Sequence, residues 1–278
     1  LGVVTVKTLL LSSYETRIAD IMETNVISVN THEDKEDVAQ MFSRYDLSAL
    51  PVVDGENRLV GIITFDDAMD VIEEETTEDF EKMAAILPSD KPYLKTGVFE
   101  TWRSRIPWLM MLMLSATFTG IIITSFESAL AACVVLTSFI PMLSGTGGNS
   151  GSQSSVAVIR ALSLDEVEFS DVLAVVWKEV RVAVLCGVCL GAANFVKMMV
   201  VDRCLMNNPE VTVPVALVVC LTLMLTVICA KVVGCTLPMA AEKIGIDPAV
   251  MAAPFITTVV DALSLLIYFS IATCVLGI

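Results

Sequence analysis

Asp261 stands near the middle of the last apolar run, in the string Thr257-Thr258-Val259-Val260-Asp261-Ala262-Leu263-Ser264. It is the single charged residue between Pro248 and Ile278. A carboxylate at the centre of a bilayer costs roughly 2.5–3.5 kcal/mol on insertion scales. Water, a cation or a cationic side chain has to offset that cost. The other apolar runs place no Lys, Arg or His at mid-span on this reading, so a bound cation or a hydrated path is favoured over a protonated Asp packed between helices. Thr257 precedes Asp261 by four residues on the same helical face, Thr258 precedes it by three and Ser264 follows by three. Oxygens clustered around one acid suit a cation path. The plainer alternative is that these hydroxyls bond the carbonyls of their own helix.

A second polar feature lies in the uncharged run Ser128–Ile159, where Pro141 is followed by Gly145-Thr146-Gly147-Gly148-Asn149-Ser150-Gly151-Ser152-Gln153-Ser154-Ser155. Non-helical or closely packed backbone at membrane depth is tolerated where it is buried in protein or lines water. Glycines let helices approach, and exposed carbonyls can face a hydrated ion. A pore lining is favoured over a simple tight helix crossing. Two enzyme readings fail on missing partners. Gly148-Asn149-Ser150-Gly151 has the GxSG form of intramembrane serine proteases, but the only histidine is His32, far away in the polar part. An intramembrane aspartyl protease needs two facing Asp residues, and these runs offer Asp261 alone.

The elements that must position these groups divide the chain in two. Over 278 residues the hydrophobic fraction is 55%, the charged fraction 18% and the net charge −15, with a mean hydropathy of +0.75. Residues 1–105 hold 21 acidic and 10 basic residues, and the remainder hold 11 and 7. An acidic water-facing piece therefore precedes an apolar one, which excludes a disordered chain, a secreted disulfide scaffold and a basic nucleic-acid binder. Five membrane spans are predicted, within Ile106–Phe126, Ser128–Ile159, Val172–Val201, Val211–Ala230 and Pro248–Ile278. Trp102 stands where interfacial aromatics sit. With the acidic piece in the cytoplasm, the inner flanks carry Lys91, Lys95, Arg103, Arg105, Arg160, Lys178, Arg181, Lys231 and Lys243. The outer flanks carry Lys197 and Arg203. That asymmetry predicts a cytoplasmic N-terminal side and an outside C-terminus. Seven of the eight cysteines lie in or beside apolar runs and Cys204 in a short loop; all read as small apolar residues, the Cys186/Cys189 pair included.

Within the acidic piece, Leu1-Gly-Val-Val-Thr5 echoes Val60-Gly-Ile-Ile-Thr64. Between them run a short β stretch at Asn25–Val29, a capping box Thr31-His32-Glu33-Asp34 and a helix Lys35–Tyr45. A hairpin Leu50–Val53/Leu59–Thr64 follows, then a second helix from Phe65 to about Glu75. This order, with Leu50-Pro-Val-Val-Asp54 and Leu59-Val-Gly-Ile-Ile-Thr64, resembles a CBS domain over residues 18–75. A separate acidic helix is expected over Thr76–Leu87. Asp66 to Asp79 packs eight acids into 14 residues, a cluster that repels itself unless cations screen it. Asp247-Pro248 reads as a cap and first-turn proline opening the last span.

The whole pattern resembles the MgtE family of magnesium channels. The resemblance rests on Asp79-Phe-Glu-Lys-Met83, Pro92-Tyr-Leu-Lys95, Arg105-Ile-Pro-Trp-Leu109, Phe126-Glu127, Gly147-Gly-Asn-Ser-Gly151, Asp247-Pro-Ala249 and Asp261-Ala-Leu-Ser-Leu-Leu-Ile-Tyr-Phe269. It implies an α-helical membrane protein with five transmembrane helices and a cytosolic α/β CBS domain. The domains are then CBS at 1–75, a connecting helix and lead-in at 76–105 and a pore domain at 106–278. It also implies that an N-terminal helical domain and most of a first CBS unit are missing, so the sequence reads as a fragment. The implied function is Mg²⁺ influx through a pore at the axis of a homodimer in the cell membrane, with no enzymatic activity. Membrane lipid is then the other partner, and neither nucleic acid nor an obligate protein partner is implied. Asp261 takes the position of the pore carboxylate that holds hydrated Mg²⁺, with Gly145, Gly148, Asn149, Ser152 and Thr257 at pore-lining positions and Glu127 at an outer acidic one. Regulatory Mg²⁺ is implied at Asp34, Glu36, Asp46, Asp67, Asp70, Glu75, Glu78 and Asp79. Thr64 and Asp67 match the CBS nucleotide string and admit ATP. The rival readings are an Mg²⁺ exchanger coupled to another cation and a non-conducting nucleotide-sensing receptor.

Overall fold

A computed structural model describes residues 2–89, 91–251 and 253–277. The chain divides into two compact units, Leu1–Thr77 and Glu78–Ile278.

In the first unit, helices α1 (Val6–Leu11) and α2 (Ile18–Ile21) precede a three-stranded sheet of β1 (Val29–Asn30), β2 (Ala49–Val53) and β3 (Leu59–Thr64). β1 pairs parallel to β2, with Val29 opposite Val52, because helix α3 (Lys35–Tyr45) makes the crossover between them. β2 and β3 form the antiparallel hairpin expected from the turn residues, with Leu50 opposite Ile63. The apolar faces of α3 and β2 close over Val29, Val38, Phe42, Leu50 and Ala68. The helix cap sits closer to α3 than the sequence suggests. Asp34 accepts from the Glu36 N–H at 2.9 Å, whereas Glu33 accepts from the Asn30 N–H at 3.1 Å. An Asp immediately before the first helical residue outcompetes the more distant Thr31 for the free amides.

Helix α4 (Phe65–Met83) corrects a second expectation. It is one continuous helix rather than two, since nothing between Glu75 and Thr76 breaks it. The boundary between the two units falls within it, at Thr77/Glu78.

The second unit contains α5 (Val98–Ser125), the short α6 (Glu127–Ala132), α7 (Ile140–Ser163), α8 (Val172–Lys197), α9 (Val213–Lys243) and α10 (Ala253–Leu276). Among the described residues, four helical stretches are long and apolar enough to cross a membrane: Val98–Ser125, Phe169–Leu205, Val213–Lys243 and Pro248–Leu276. The fifth expected span is α7, which has the length, 24 residues, but whose glycines and serines dilute its hydropathy. The run Ser128–Ile159 is not one helix: α6 ends at Ala132, Val134–Phe139 forms 3-10 turns, and α7 begins with Pro141 in its first turn. Helices α7, α9 and α10 pack on one another, α8 lies along α9, and α5 lies along α10. Their core holds Leu136, Leu143, Leu223, Leu265, Tyr268 and Phe269, with the Tyr268 hydroxyl donating to the Leu136 carbonyl at 2.9 Å. Cys204 lies in a π-helical extension of α8, Met198–Leu205, not in a loop, and all eight cysteines are free.

Candidate functional site

The glycine segment is helical throughout, so its carbonyls stay within the α7 ladder and do not line a non-helical loop. The glycines serve close packing instead. A Cβ at Gly148 would stand 2.9 Å from Thr257 Cγ2 of α10, and one at Gly147 would stand 2.6 Å from Thr226 Cγ2 of α9. A Cβ on Gly234 of α9 would run into the Gly151 carbonyl, so the two backbones touch there. Gly145 is different: a side chain there would meet open space. Gly147, Gly148, Ser150, Gly151, Ser154 and Ser155 are buried, while Gly145, Asn149 and Gln153 are exposed at a spacing of four residues. Helix α7 thus buries a small-residue face and leaves an amide-bearing face open.

Asp261 lies on α10 and is partly buried. Ser144 of α7 lies near its carboxylate, close enough to act on it. Among the described residues no Lys, Arg or His forms an ion pair with it. Thr257, one turn earlier, is the residue pressed against Gly148. Asp261, Thr257, Gly148 and the neighbouring open face of α7 are therefore brought together. The hydroxyls behave as the plainer alternative held: Thr257 and Thr258 donate to the Pro254 carbonyl at 2.9 and 3.1 Å, Ser264 to that of Asp261 at 2.9 Å, and Ser152 to that of Gly148 at 2.9 Å. Their oxygens still present lone pairs to whatever lies in front. Glu127 is not part of this grouping. It opens α6, is exposed, and sits next to Phe126, which stacks on Phe269 at 4.9 Å, about two turns beyond Asp261.

Sequence reasoning missed Ser144, which one more turn of the Gly148/Asn149 helix would have placed opposite Asp261. It also missed a buried charge pair. Lys231, read as an inner flank, lies inside α9 and is 5% exposed. It pairs with Glu179 of α8 at 3.4 Å. The expectation that no Lys, Arg or His lies at mid-span in the other runs is thus overturned. The signal was there: α9 continues for three turns past Ala230 as an apolar helix.

Asp247 does more than cap. Its Oδ1 accepts from the Ala249 N–H at 2.8 Å, capping 3-10 turns over Pro248–Met251 rather than α10 itself. Its Oδ2 lies 2.6 Å from Lys82 Nζ, which is also 2.6 Å from Glu78 Oε1. Partial burial pushes the Lys82 ammonium towards neutrality, but hydrogen bonds to Asp247 and Glu78 outweigh it and raise its pKa above the ordinary lysine value.

The remaining acids are dispersed. Asp34 caps α3, Asp46 ends α3 in the left-handed region at φ 50°, and Glu75 pairs with Lys35 at 2.8 Å. Glu36, Asp70 and Asp79 lie on α3 and α4. Among the described residues no three His, Cys, Asp or Glu side chains are grouped as a metal site. Asp67 accepts from the Thr64 N–H at 3.0 Å and from the Thr64 hydroxyl. These bonds hold its carboxyl below the usual Asp range and close the first turn of α4 as a capping-box acid does. Beside them a cavity of about 280 Å³ is lined by Asn30, Thr31, Lys35, Val52, Ile63 and Asp67, among others.

This architecture is that of a helical membrane protein carrying a CBS domain. Residues 140–271 match the family model of MgtE, a divalent cation transporter, and residues 18–74 match that of the CBS domain. The chain is 38% identical over 275 residues to Magnesium transporter MgtE of Thermus thermophilus, covering 99% of this chain and 59% of that protein. It is 39% identical over 273 residues to the Bacillus subtilis protein of the same name, covering 98% and 58%. A solved structure titled the soluble part of a magnesium transporter aligns at 46% identity over 27% of this chain and 29% of that one, with a TM-score of 0.26. Another, of the cytosolic domain of the Mg²⁺ channel MgtE in complex with ATP, aligns at 47% identity over 25% and 28%, with a TM-score of 0.25. Residues 140–271 thus carry the domain of the MgtE family, and the curated relatives that match nearly the whole of this chain are magnesium transporters by name. The chain spans a little under three fifths of the length of these curated relatives.

Proposed function

We propose that this chain forms the conducting part of a passive Mg²⁺ channel in the cell membrane. The observation that carries the reading is Asp261: a carboxylate within an apolar helix, without a cationic partner among the described residues, beside the open face of α7. Mg²⁺ dehydrates reluctantly and usually keeps several of its waters. A hydrated ion would be held in its outer sphere by Asp261, with Thr257, Asn149, Ser152 and the backbone at Gly145 and Gly148 around it. Two copies related by an axis along this face would place two Asp261 carboxylates in one pore, and the exposure of Gly145 and Asn149 supports a homodimer of that form. The acidic unit would lie in the cytoplasm and the C-terminus outside, with Glu127 towards the outer mouth. There Mg²⁺ would screen the acids of α3 and α4 and close the pore when its cytosolic level rises. The cavity beside Lys35 and Asp67 suits an adenine nucleotide, its phosphates towards the Lys35 ammonium.

The test is Mg²⁺ flux into proteoliposomes, comparing the chain with Asp261→Ala while Mg²⁺ varies on the cytoplasmic side. Loss of flux or of selectivity in the variant supports the pore position. Unchanged selective flux overturns it. One observation favours a second reading: the buried Lys231–Glu179 pair supplies the intramembrane charge that coupled exchange needs. Mg²⁺ movement that requires an opposing Na⁺ or proton gradient would select that reading over a channel.

A further inference from the structure

The conducting path does not use Lys231, Glu179 or Ser154, yet these three meet at the point where α7, α8 and α9 converge. Lys231 Nζ lies 3.1 Å from Ser154 Oγ and 3.4 Å from Glu179 Oε2. The Ser154 hydroxyl donates to the same Glu179 oxygen at 2.5 Å. The triangle is closed: the ammonium donates twice, the hydroxyl accepts once and donates once, and the carboxylate accepts both. The side chains of Lys231 and Glu179 are 7% and 13% exposed.

Directional bonds of this kind fix rotation, which apolar packing alone does not. Helix α8 lies along α9 and α9 along α7. Glu179 reaches α7 through the Ser154 hydroxyl. A turn away on each helix, Gly151 and Gly234 bring the α7 and α9 backbones into contact, which fixes their separation. Ser154 is buried on the side of α7 turned away from exposed Asn149. At about 100° per residue, a one-residue turn of α7 would swing Asn149 and Gly145 off the open face and pull Ser144 from Asp261.

We propose that Ser154, Glu179 and Lys231 are positioning residues that lock the rotation of α7, and so aim its polar face and Ser144 at the ion path past Asp261. The inference rests on the transport reading given above. It is tested on the full chain in lipid with Ser154→Ala, which keeps the charge pair, and with Glu179→Gln/Lys231→Met, which leaves neither charge unpaired. Two quantities are read: hydrogen-exchange protection of residues 144–155, and the half-saturating Mg²⁺ concentration with the Mg²⁺/Ca²⁺ preference of flux. In both variants protection of that segment is expected to fall. The half-saturating concentration is expected to rise about five-fold, with a narrowed preference. Unchanged protection in both variants overturns the proposal. So does lowered protection with wild-type half-saturation and preference, since the triangle would then be structural only. A wild-type chain that carries no Mg²⁺ sinks the transport reading and this inference with it. A conducting wild type with insensitive variants sinks this inference alone.

Discussion

The membrane unit treats two of its intrahelical carboxylates, Glu179 and Asp261, in opposite ways. Glu179 is matched by Lys231 and tied to Ser154, so its charge is spent inside the protein. Asp261 has Ser144 nearby and no cationic partner among the described residues. A carboxylate neutralised internally stabilises one arrangement of helices. One left unmatched is available to a mobile cation. The difference contrasts a charge matched inside the fold with the one to which the proposed function assigns the ion, without any reference to depth.

The largest expected effect breaks the Asp261 side. Asp261→Ala should lower selective Mg²⁺ flux by more than about tenfold, the scale of 1.4 kcal/mol in binding, while thermal stability holds or rises. Tracer uptake together with a melting curve in detergent decides this. On the Glu179 side the order reverses. Lys231→Met leaves Glu179 buried and unmatched and should cost about 3 kcal/mol of stability. The Glu179→Gln/Lys231→Met pair should cost clearly less, as read by denaturation of the purified chain. Glycines sharpen the contrast. Gly234→Ala forces α9 off Gly151 and should destabilise by about 1–3 kcal/mol. Gly145→Ala, which points into open space, should leave stability unchanged and alter only flux. The smallest effect belongs to the CBS unit. Asp67→Asn should slightly lower its melting midpoint at neutral pH. The difference should vanish in acid, because a carboxyl held below its ordinary pKa contributes above that value and loses its contribution as pH falls through the depressed one.

Much of the architecture was legible because its signals are local. The α3 limits, the β2–β3 hairpin and the apolar helices follow from periodicity, turn residues and length. What escaped depends on which faces meet. Lys231 looked like a flank because a charge count ends a span at the first basic residue, whereas a neutralised Lys can be carried inside. Ser144 has no sequence distinction from other serines until α10 is set against α7. The glycine segment admitted either non-helical or closely packed backbone, and the structure shows the second: Gly147, Gly148 and Gly151 let neighbours approach while the helical ladder stays intact. The acids of the first unit and of α4 were legible as a charge density. Their grouping was not: Glu75 is paired with Lys35 and Glu78 with Lys82, while Asp34 and Asp67 hold backbone amides.

The bond between Lys82 and Asp247 carries a topological consequence. These residues are 165 positions apart in sequence and 2.6 Å apart in space, so both lie on the same side of the membrane. A chain that leaves one side and returns to it must cross an even number of times. Between the two residues, α5, α8 and α9 qualify by length and apolarity, which is an odd number. Parity therefore requires one more crossing, and α7, roughly 36 Å long at 1.5 Å per residue, is the helix that can supply it. On this count the glycine-rich helix that hydropathy passes over is predicted to be a traverse, which accessibility labelling of cysteines placed at its two ends would check.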